Sequence, residues 1–269
     1  MGTALDLAFA KSFLTALGLT MPRMLAVFLL VPLFNRQLLP GMLRGAVAAS
    51  LCLVLVPAMQ GELSQHRFAG LDLLALILKE ATIGFMLGFL IALPFWSLEA
   101  VGFIVDNQRG ASIASSINPL TGHDSSPLGM LFNQAFMVFF LLSGGFVLML
   151  SVLYQSYELW PVLGEWPTLR PSQAPALLGL LDRLVGLAMV LAGPVLVAMF
   201  LAEMGLALVS RFAPQLQVFF LAMPIKSALA MLMLAVYAVN LFDNAALEIN
   251  RFHGLFDTVR DTLGWKIAP

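Results

Sequence analysis

The sequence predicts an all-α integral membrane protein, on the basis of its composition and its apolar runs. Of the 269 residues, 60% are hydrophobic and only 11% are charged, and the mean hydropathy is +0.93. Soluble domains carry about 25% charged residues, so lipid or protein must cover this apolar surface. Several runs approach the roughly 20 residues that a bilayer-spanning helix needs. They lack the alternation of a membrane β-barrel, and a helix satisfies its own backbone polar groups in lipid.

Six apolar runs define the predicted spans, which we expect to be partly broken helices within a single membrane-embedded domain covering 1–269. The runs lie at about 12–34, 42–59, 81–98, 128–153, 184–209 and 216–242, and a short polar tail follows at 243–269.

The predicted spans contain charges and prolines that helices facing lipid rarely carry. Arg23 lies in the first span, Glu203 in the fifth and Lys226 in the sixth. A charge at the centre of a span costs about 2.5–3.5 kcal/mol even on the mildest insertion scale. Proline denies a helix one backbone donor, so we expect bent or broken helices, covered by protein or a water-filled cavity. The prolines in question are Pro22, Pro32, Pro214 and Pro224.

Carboxylates within the apolar segments are candidate partners for the cations there. Two interpretations remain open: paired charges that fix helix packing, or a proton relay. The carboxylates, which we expect on different helices, are Glu80, Glu99 and Glu203, and the candidate cations are Lys79, Arg23 and Lys226.

Residues that support catalysis or metal binding are sparse. His66, His123 and His253 lie in three separate polar segments, without neighbours at metal-ligand spacing. Phosphate-binding and nucleophile-elbow motifs are missing from the sequence. The net charge is −1, without the basic clusters that nucleic acid requires. The sequence therefore predicts no enzymatic activity, no metal or other cofactor, and no nucleic-acid partner.

Two patterns place glycines on one face of a helix, where a second backbone can approach closely. They are Gly41-x-x-x-Gly45 and Gly84-x-x-x-Gly88.

Two segments carry a specific resemblance to a known family. The first is Asp106-Asn107-Gln108-Arg109-Gly110-Ala111-Ser112, continuing through Ser115-Ser116-Ile117-Asn118-Pro119, with Pro94-Phe95-Trp96 upstream of it. The second is Ser210-Arg211-Phe212-Ala213-Pro214-Gln215, followed by Phe219, Pro224 and Lys226. Together they resemble the T component of virulence-type type III secretion systems, the SctT family (YscT- and SpaR-like), which is related to flagellar FliR. The order of elements matches over essentially the whole chain.

The resemblance implies a multi-pass subunit of an export gate in the bacterial inner membrane. Proteins of the SctT family form a helical pore with SctR and SctS, which SctU surrounds and through which unfolded proteins pass. The implied partners are SctR, SctS and SctU homologues, exported effector and needle proteins in transit, and membrane lipid. The alternative is a secondary transporter or channel for a small solute, which the charges and broken helices also suit.

The resemblance further implies that the loop at 106–127, called the gate loop below, plugs the closed channel. Its centre is small and hydrogen-bonding, which suits a reversible seal. Asp106 and Arg109 would pair at i and i+3 if the loop begins as a helical turn. An ordinary exposed connection is the alternative. The candidate plug residues are Asp106, Asn107, Gln108, Arg109, Gly110, Ser112, Ile113, Ser115, Ser116, Ile117, Asn118 and Pro119.

A second candidate site is a subunit interface around the start of the sixth span. Pro214 lacks an N–H and biases Ala213 away from helix, which predicts a helix-breaking turn between Arg211 and Lys226. The alternative is that both cations merely reach the membrane interface. The candidate interface residues are Arg211, Phe212, Pro214, Gln215, Phe219, Pro224, Lys226 and Glu203.

Overall fold

All regular elements among the described residues are helical, as predicted. The computed structural model describes residues 2–35, 38–63, 70–111, 126–167, 174–213 and 218–250. The elements are α1 (Gly2–Leu30), a 3-10 turn (Pro32–Phe34), α2 (Gly41–Cys52), α3 (Val56–Leu63), α4 (Gly70–Gln108), α5 (Pro127–Leu142), α6 (Gly145–Leu159), α7 (Ala174–Phe212) and α8 (Val218–Asn250).

Four of these helices, α1, α4, α7 and α8, are long and apolar enough to cross a membrane. Helices α5 and α6, with 16 and 15 residues, are each too short and qualify only as a pair, which is bent by 76°. At the bend, Gly144 adopts the positive φ of +80° that glycine tolerates. Among the described residues, four or five segments are thus long and apolar enough to span a membrane, close to the six predicted.

The second predicted span, 42–59, is not one continuous helix. It is divided into α2 and α3 by a turn at 53–55. The turn precedes Pro57, which has no N–H with which to continue α2 but is tolerated near the start of α3. Each piece is therefore too short to cross a bilayer by itself.

Prolines lie inside four helices, α1, α4, α7 and α8, and a further proline ends α1. Helix α1 ends at Leu30, and Val31 is extended (φ −76°, ψ 121°) because Pro32 follows it. The expectation at Pro22 and Pro224 is a bent or broken helix; α1 and α8 continue through these two prolines, so neither helix is broken there. A single proline removes one hydrogen bond, while the long apolar turns on either side keep theirs. Pro94 in α4 and Pro194 in α7 are accommodated in the same way.

The chain packs as two compact units, each drawn from non-contiguous segments. The first is taken from 1–92 and 146–171, and the second from 93–145 and 172–254. Helix α4 therefore contributes its first half to one unit and its second half to the other.

In the first unit, α1 packs against α2, α3 and the first half of α4. A Cβ atom at Gly84 would overlap the carbonyl of Arg23, and one at Gly88 would lie 2.9 Å from the Cα of Val27. The prediction that this glycine pair admits a second backbone is confirmed. Gly41 and Gly45 have open space around them instead.

In the second unit, α7 and α8 pair as an extended hairpin. The second half of α4 packs on α5 through Phe95, whose ring centroid lies 4.6 Å from that of Phe136 and 5.1 Å from that of Phe140. Phe139 of α5 contacts Phe242 of α8 with ring centroids 5.5 Å apart. Aromatic contacts thus join α4, α5 and α8, and α7 is held through its pairing with α8 in this unit, which carries the gate loop.

Candidate functional site

The D-N-Q-R-G segment forms the end of α4 and the start of the gate loop. The N–H of Arg109 donates to the Val105 carbonyl at 3.0 Å, and the N–H of Gly110 donates to the Asn107 carbonyl at 3.1 Å. Gly110 has a φ of +80°, the left-handed conformation that ends many helices and that glycine favours. The glycine of the motif therefore turns the chain out of α4 and into the loop.

Asp106 fastens the two ends of the gate loop to each other. Its Oδ1 accepts from Nε of Arg109 at 2.7 Å and pairs with Nη2 of the same residue, also at 2.7 Å. Its Oδ2 accepts from the hydroxyl of Ser126 at 2.6 Å and from the backbone N–H of Leu128 at 2.9 Å. The predicted pairing of Asp106 with Arg109 is confirmed, and the carboxylate also holds the residues where the chain returns. We call these four groups the Asp106 anchor.

The returning end of the loop is the N-terminus of α5. Ser126 caps this helix by accepting the N–H of Gly129 at 2.8 Å. Pro127 occupies the first helical position, where its missing N–H costs nothing. The free N–H groups and the dipole of a helix N-terminus favour a negative charge. The buried Asp106, only 2% exposed, provides that charge.

A close crossing of two helices positions the anchor. A Cβ at Gly102 would overlap the backbone of Leu128 and Gly129, and one at Gly129 would lie 3.1 Å from the Glu99 carbonyl. Gly102 and Asp106 are four residues apart and so lie on one face of α4. The approach of the backbones at Gly102 thus brings the Asp106 carboxylate onto the first turn of α5.

Several residues of this site were missed by sequence reasoning: Gly102, Ser126, Gly129 and Asn133, whose side-chain amide donates to Glu99 at 2.6 Å. The dipeptide Ser126-Pro127 was the available signal, because serine at the cap and proline at the first position mark a helix start.

The remaining plug candidates divide between described and undescribed residues. Asn107 is exposed, whereas Gln108 and Gly110 are partly buried. Outside the described residues lie Ser112, Ile113, Ser115, Ser116, Ile117, Asn118 and Pro119.

The predicted interface candidates separate into an ion pair and an exposed helix end. Helix α7 ends at Phe212 and α8 begins at Val218, so the predicted helix break between Arg211 and Lys226 is confirmed. Nζ of Lys226 pairs with Oε2 of Glu203 at 2.6 Å, and Arg211 and Phe212 are exposed. Outside the described residues lie Pro214, Gln215 and the side chain of Phe219.

A second polar cluster, in the first unit, lies around Arg23, which is fully buried. Nε and Nη2 of Arg23 donate to the two Glu80 oxygens at 2.8 and 3.0 Å. Nη1 donates to the Ser156 hydroxyl at 3.0 Å, and Nη2 also donates to the Trp160 carbonyl at 2.8 Å. The guanidinium carbon lies 4.0 Å from the centroid of the Tyr157 ring. A two-pronged carboxylate contact and an aromatic face are partners that arginine particularly suits.

Lys79 completes this Arg23 cluster. Its Nζ donates to the carbonyls of Pro161, Val162 and Gly164 at 2.8, 2.6 and 3.0 Å, and lies 3.5 Å from Glu80. Two cations thus share one carboxylate, and backbone carbonyls satisfy the remaining donors.

The expectation that Glu80 and Glu99 lie on different helices is wrong, because α4 begins at Gly70, eleven residues before the predicted span, and carries both. Lys79 and Glu80, placed at the edge of that span by the sequence, are tolerated inside the helix because each is paired within the Arg23 cluster.

These features define a multi-pass α-helical membrane protein with a loop tied at its base. The chain matches the family described as bacterial export proteins, family 1, over residues 14–251. It is 43% identical over 229 residues to Yop proteins translocation protein T of Yersinia pestis, covering 85% of this chain and 87% of that protein. It is 37% identical over 215 residues to the surface presentation of antigens protein SpaR of Salmonella typhimurium, covering 80% of each.

Identity to the flagellar biosynthetic protein FliR of Bacillus subtilis is lower, 27% over 246 residues, covering 90% of this chain and 92% of that protein. The chain therefore belongs to family 1 of the bacterial export proteins, and to its SctT branch (YscT- and SpaR-like), as the sequence motifs predicted.

Proposed function

We propose that this chain is a core subunit of the type III secretion export gate of the bacterial inner membrane. With SctR and SctS homologues it forms the channel through which unfolded effector and needle proteins leave, and a SctU homologue surrounds that channel. Family membership and relatives that are named for translocation support this assignment.

The length of the apolar helices supports burial in a larger assembly. Helices α4 and α7 have 39 residues each, which corresponds to about 58 Å of helix. The hydrocarbon core of a bilayer is about 30 Å thick, and a tilt of 40° still leaves a projection of about 45 Å. Large apolar side chains stay exposed from Leu178 (59%) to Phe212 (88%) along α7. Lipid alone does not cover such a helix, whereas neighbouring subunits do.

The fastened gate loop is the observation that carries the channel-sealing role. The segment between Gly110 and Ser126 leaves and returns at one place, because Asp106 binds both ends. Because Asp106 holds both ends, a displacement of the residues between them would leave α4 and α5 intact. This property suits a plug that a passing polypeptide displaces and that then returns.

The Arg23 cluster favours the gate subunit over the alternative of a solute transporter. A transporter uses intramembrane charges to bind substrate or carry protons. Arg23 and Lys79 instead each bind Glu80 and backbone carbonyls of the segment 160–164. Their geometry suits paired charges that fix packing, the first of the two interpretations above.

The test is deletion of residues 112–118 in cells that co-express the SctR, SctS and SctU homologues. We expect the complex to co-purify intact while the membrane becomes permeable to small ions, measured as dissipation of the membrane potential. A serine-and-glycine replacement of equal length controls for loop length. If the deletion leaves both permeability and secretion unchanged, the loop is a connection and does not plug the channel.

A further inference from the structure

Lys226 connects the α7–α8 hairpin to the end of α4. Its Nζ pairs with Glu203 of α7 at 2.6 Å and lies 3.4 Å from the carbonyl oxygen of Gln108, the last residue of α4. The side chain of Lys226 is 11% exposed, whereas that of Glu203 is 49% exposed. The buried ammonium of Lys226 therefore lies between the C-terminus of α4 and the carboxylate of Glu203, which is accessible to solvent or to a partner subunit.

The position of Lys226 is electrostatically favourable for stabilising the last turn of α4, at the base of the gate loop. The last carbonyls of a helix lack intrahelical donors and carry the negative end of the dipole, so a cation there stabilises the final turn. Gln108 lies between Asp106 and Arg109 of the anchor. The loop base is thus held from two directions: by the N-terminus of α5 through Asp106, and by Lys226 through Gln108.

We propose that Glu203 and Lys226 form a latch that couples the α7–α8 hairpin to the gate loop. While Glu203 fixes Lys226, the ammonium caps α4 and the anchor stays assembled. A displacement of α7 against α8, or a partner cation that binds the half-exposed Glu203, withdraws Lys226 from Gln108 and loosens the last turn of α4. Both residues are candidates for a subunit interface, and the latch gives them a positioning role inside the subunit.

The first test is amide hydrogen exchange in the purified export complex, read over residues 105–111. We expect Lys226→Met to accelerate exchange there by about threefold to tenfold, as loss of a helix-end interaction does. Glu203→Gln should produce a smaller acceleration in the same residues, and Lys226→Arg should remain near the wild type because it keeps the cation. Arg183→Gln is the matched control, since Arg183 and Glu248 also pair α7 with α8, at 2.8 Å, far along the hairpin from Glu203.

The charge swap Glu203→Lys with Lys226→Glu separates the latch from a simple ion pair. It restores the pair but places a carboxylate beside the Gln108 carbonyl, so we expect exchange at 105–111 to remain fast. Normal exchange in the swap, or unchanged exchange in Lys226→Met, overturns the latch.

The second test measures ion permeability in cells, and it rests on the proposed plug function. We expect leakage from Lys226→Met and none from Lys226→Arg or Arg183→Gln. Leakage from the 112–118 deletion but not from Lys226→Met overturns the latch and keeps the plug. Fast exchange in Lys226→Met without leakage from the deletion overturns the plug and keeps the latch. If Lys226→Met fails to assemble, Glu203→Gln gives the same readouts at a half-exposed position.

Discussion

The Arg23 cluster and the Asp106 anchor both place charges in apolar helices, but they differ in what closes them. In the Arg23 cluster every charged group is enclosed, and the carbonyls of 160–164 complete the shell. In the anchor, the carboxylate binds helix ends, and the neighbouring Lys226 depends on the half-exposed Glu203. A charge enclosed on all sides fixes packing permanently. A charge that binds helix ends beside a half-exposed ion pair is easier to release, which suits the plug role proposed for the gate loop.

The largest expected effect comes from breaking the enclosed cluster. Glu80→Gln leaves Arg23 and Lys79 buried without a counter-charge, and breaking a buried pair costs about 3–5 kcal/mol. We expect the subunit to be lost from the co-purified complex, measured by its abundance relative to the SctR homologue. Leucine at all three positions provides the control, because removing every charge together leaves no ion unpaired. A fully assembled complex with Glu80→Gln alone would show that the enclosed cluster is as tolerant as the anchor.

A smaller effect is expected at the anchor. Asp106→Asn keeps the shape of the side chain but removes the charge that serves Arg109 and the N-terminus of α5, a loss of about 1–3 kcal/mol confined to the loop base. We expect the complex to assemble while exchange at 105–111 and at 126–130 accelerates and ion leakage appears. Glu99→Gln, on the same face of α4 beside Asn133, is the matched control. Failure of Asp106→Asn to assemble would mean that the anchor holds the fold itself.

The sequence predicted which kinds of residue form polar contacts better than it predicted the partners and distances of those contacts. The apolar runs predicted the helices, and the charges inside them offered two interpretations, pairing or a proton relay. Arg23 is paired with Glu80 and Lys226 with Glu203. The i, i+3 spacing predicted the pair of Asp106 with Arg109, because neighbours on one helix turn are fixed by local geometry.

The hydrogen bonds between residues far apart in the sequence could not be predicted from local sequence patterns. The Asp106 carboxylate binds Ser126, twenty residues later, only because Gly102 and Gly129 let α4 and α5 cross closely. The shell around Lys79 consists of backbone carbonyls more than eighty residues away, which carry no residue-type signal. Local reasoning also left open whether Pro22 and Pro224 bend or break their helices; both helices continue, because the turns on either side keep their backbone bonds when one is lost.

The smallest loss of stability is expected from a third polar contact, the ion pair of Arg183 with Glu248. This pair is exposed to solvent, unlike the Arg23 cluster and the Asp106 anchor. Arg183 is 46% exposed at the side chain and meets Glu248 at 2.8 Å, linking α7 to α8. Water and salt screen such a pair, and exposed ion pairs contribute about 0–1 kcal/mol. We therefore expect Arg183→Gln to change the thermal stability of the purified complex within error and to leave secretion intact. Raising the salt concentration should erase any remaining difference between the variant and the wild type, because screening removes the same interaction. If Arg183→Gln instead disrupts assembly as Glu80→Gln does, the pair is buried in the complex. A partner subunit then covers side chains that are exposed in the single chain.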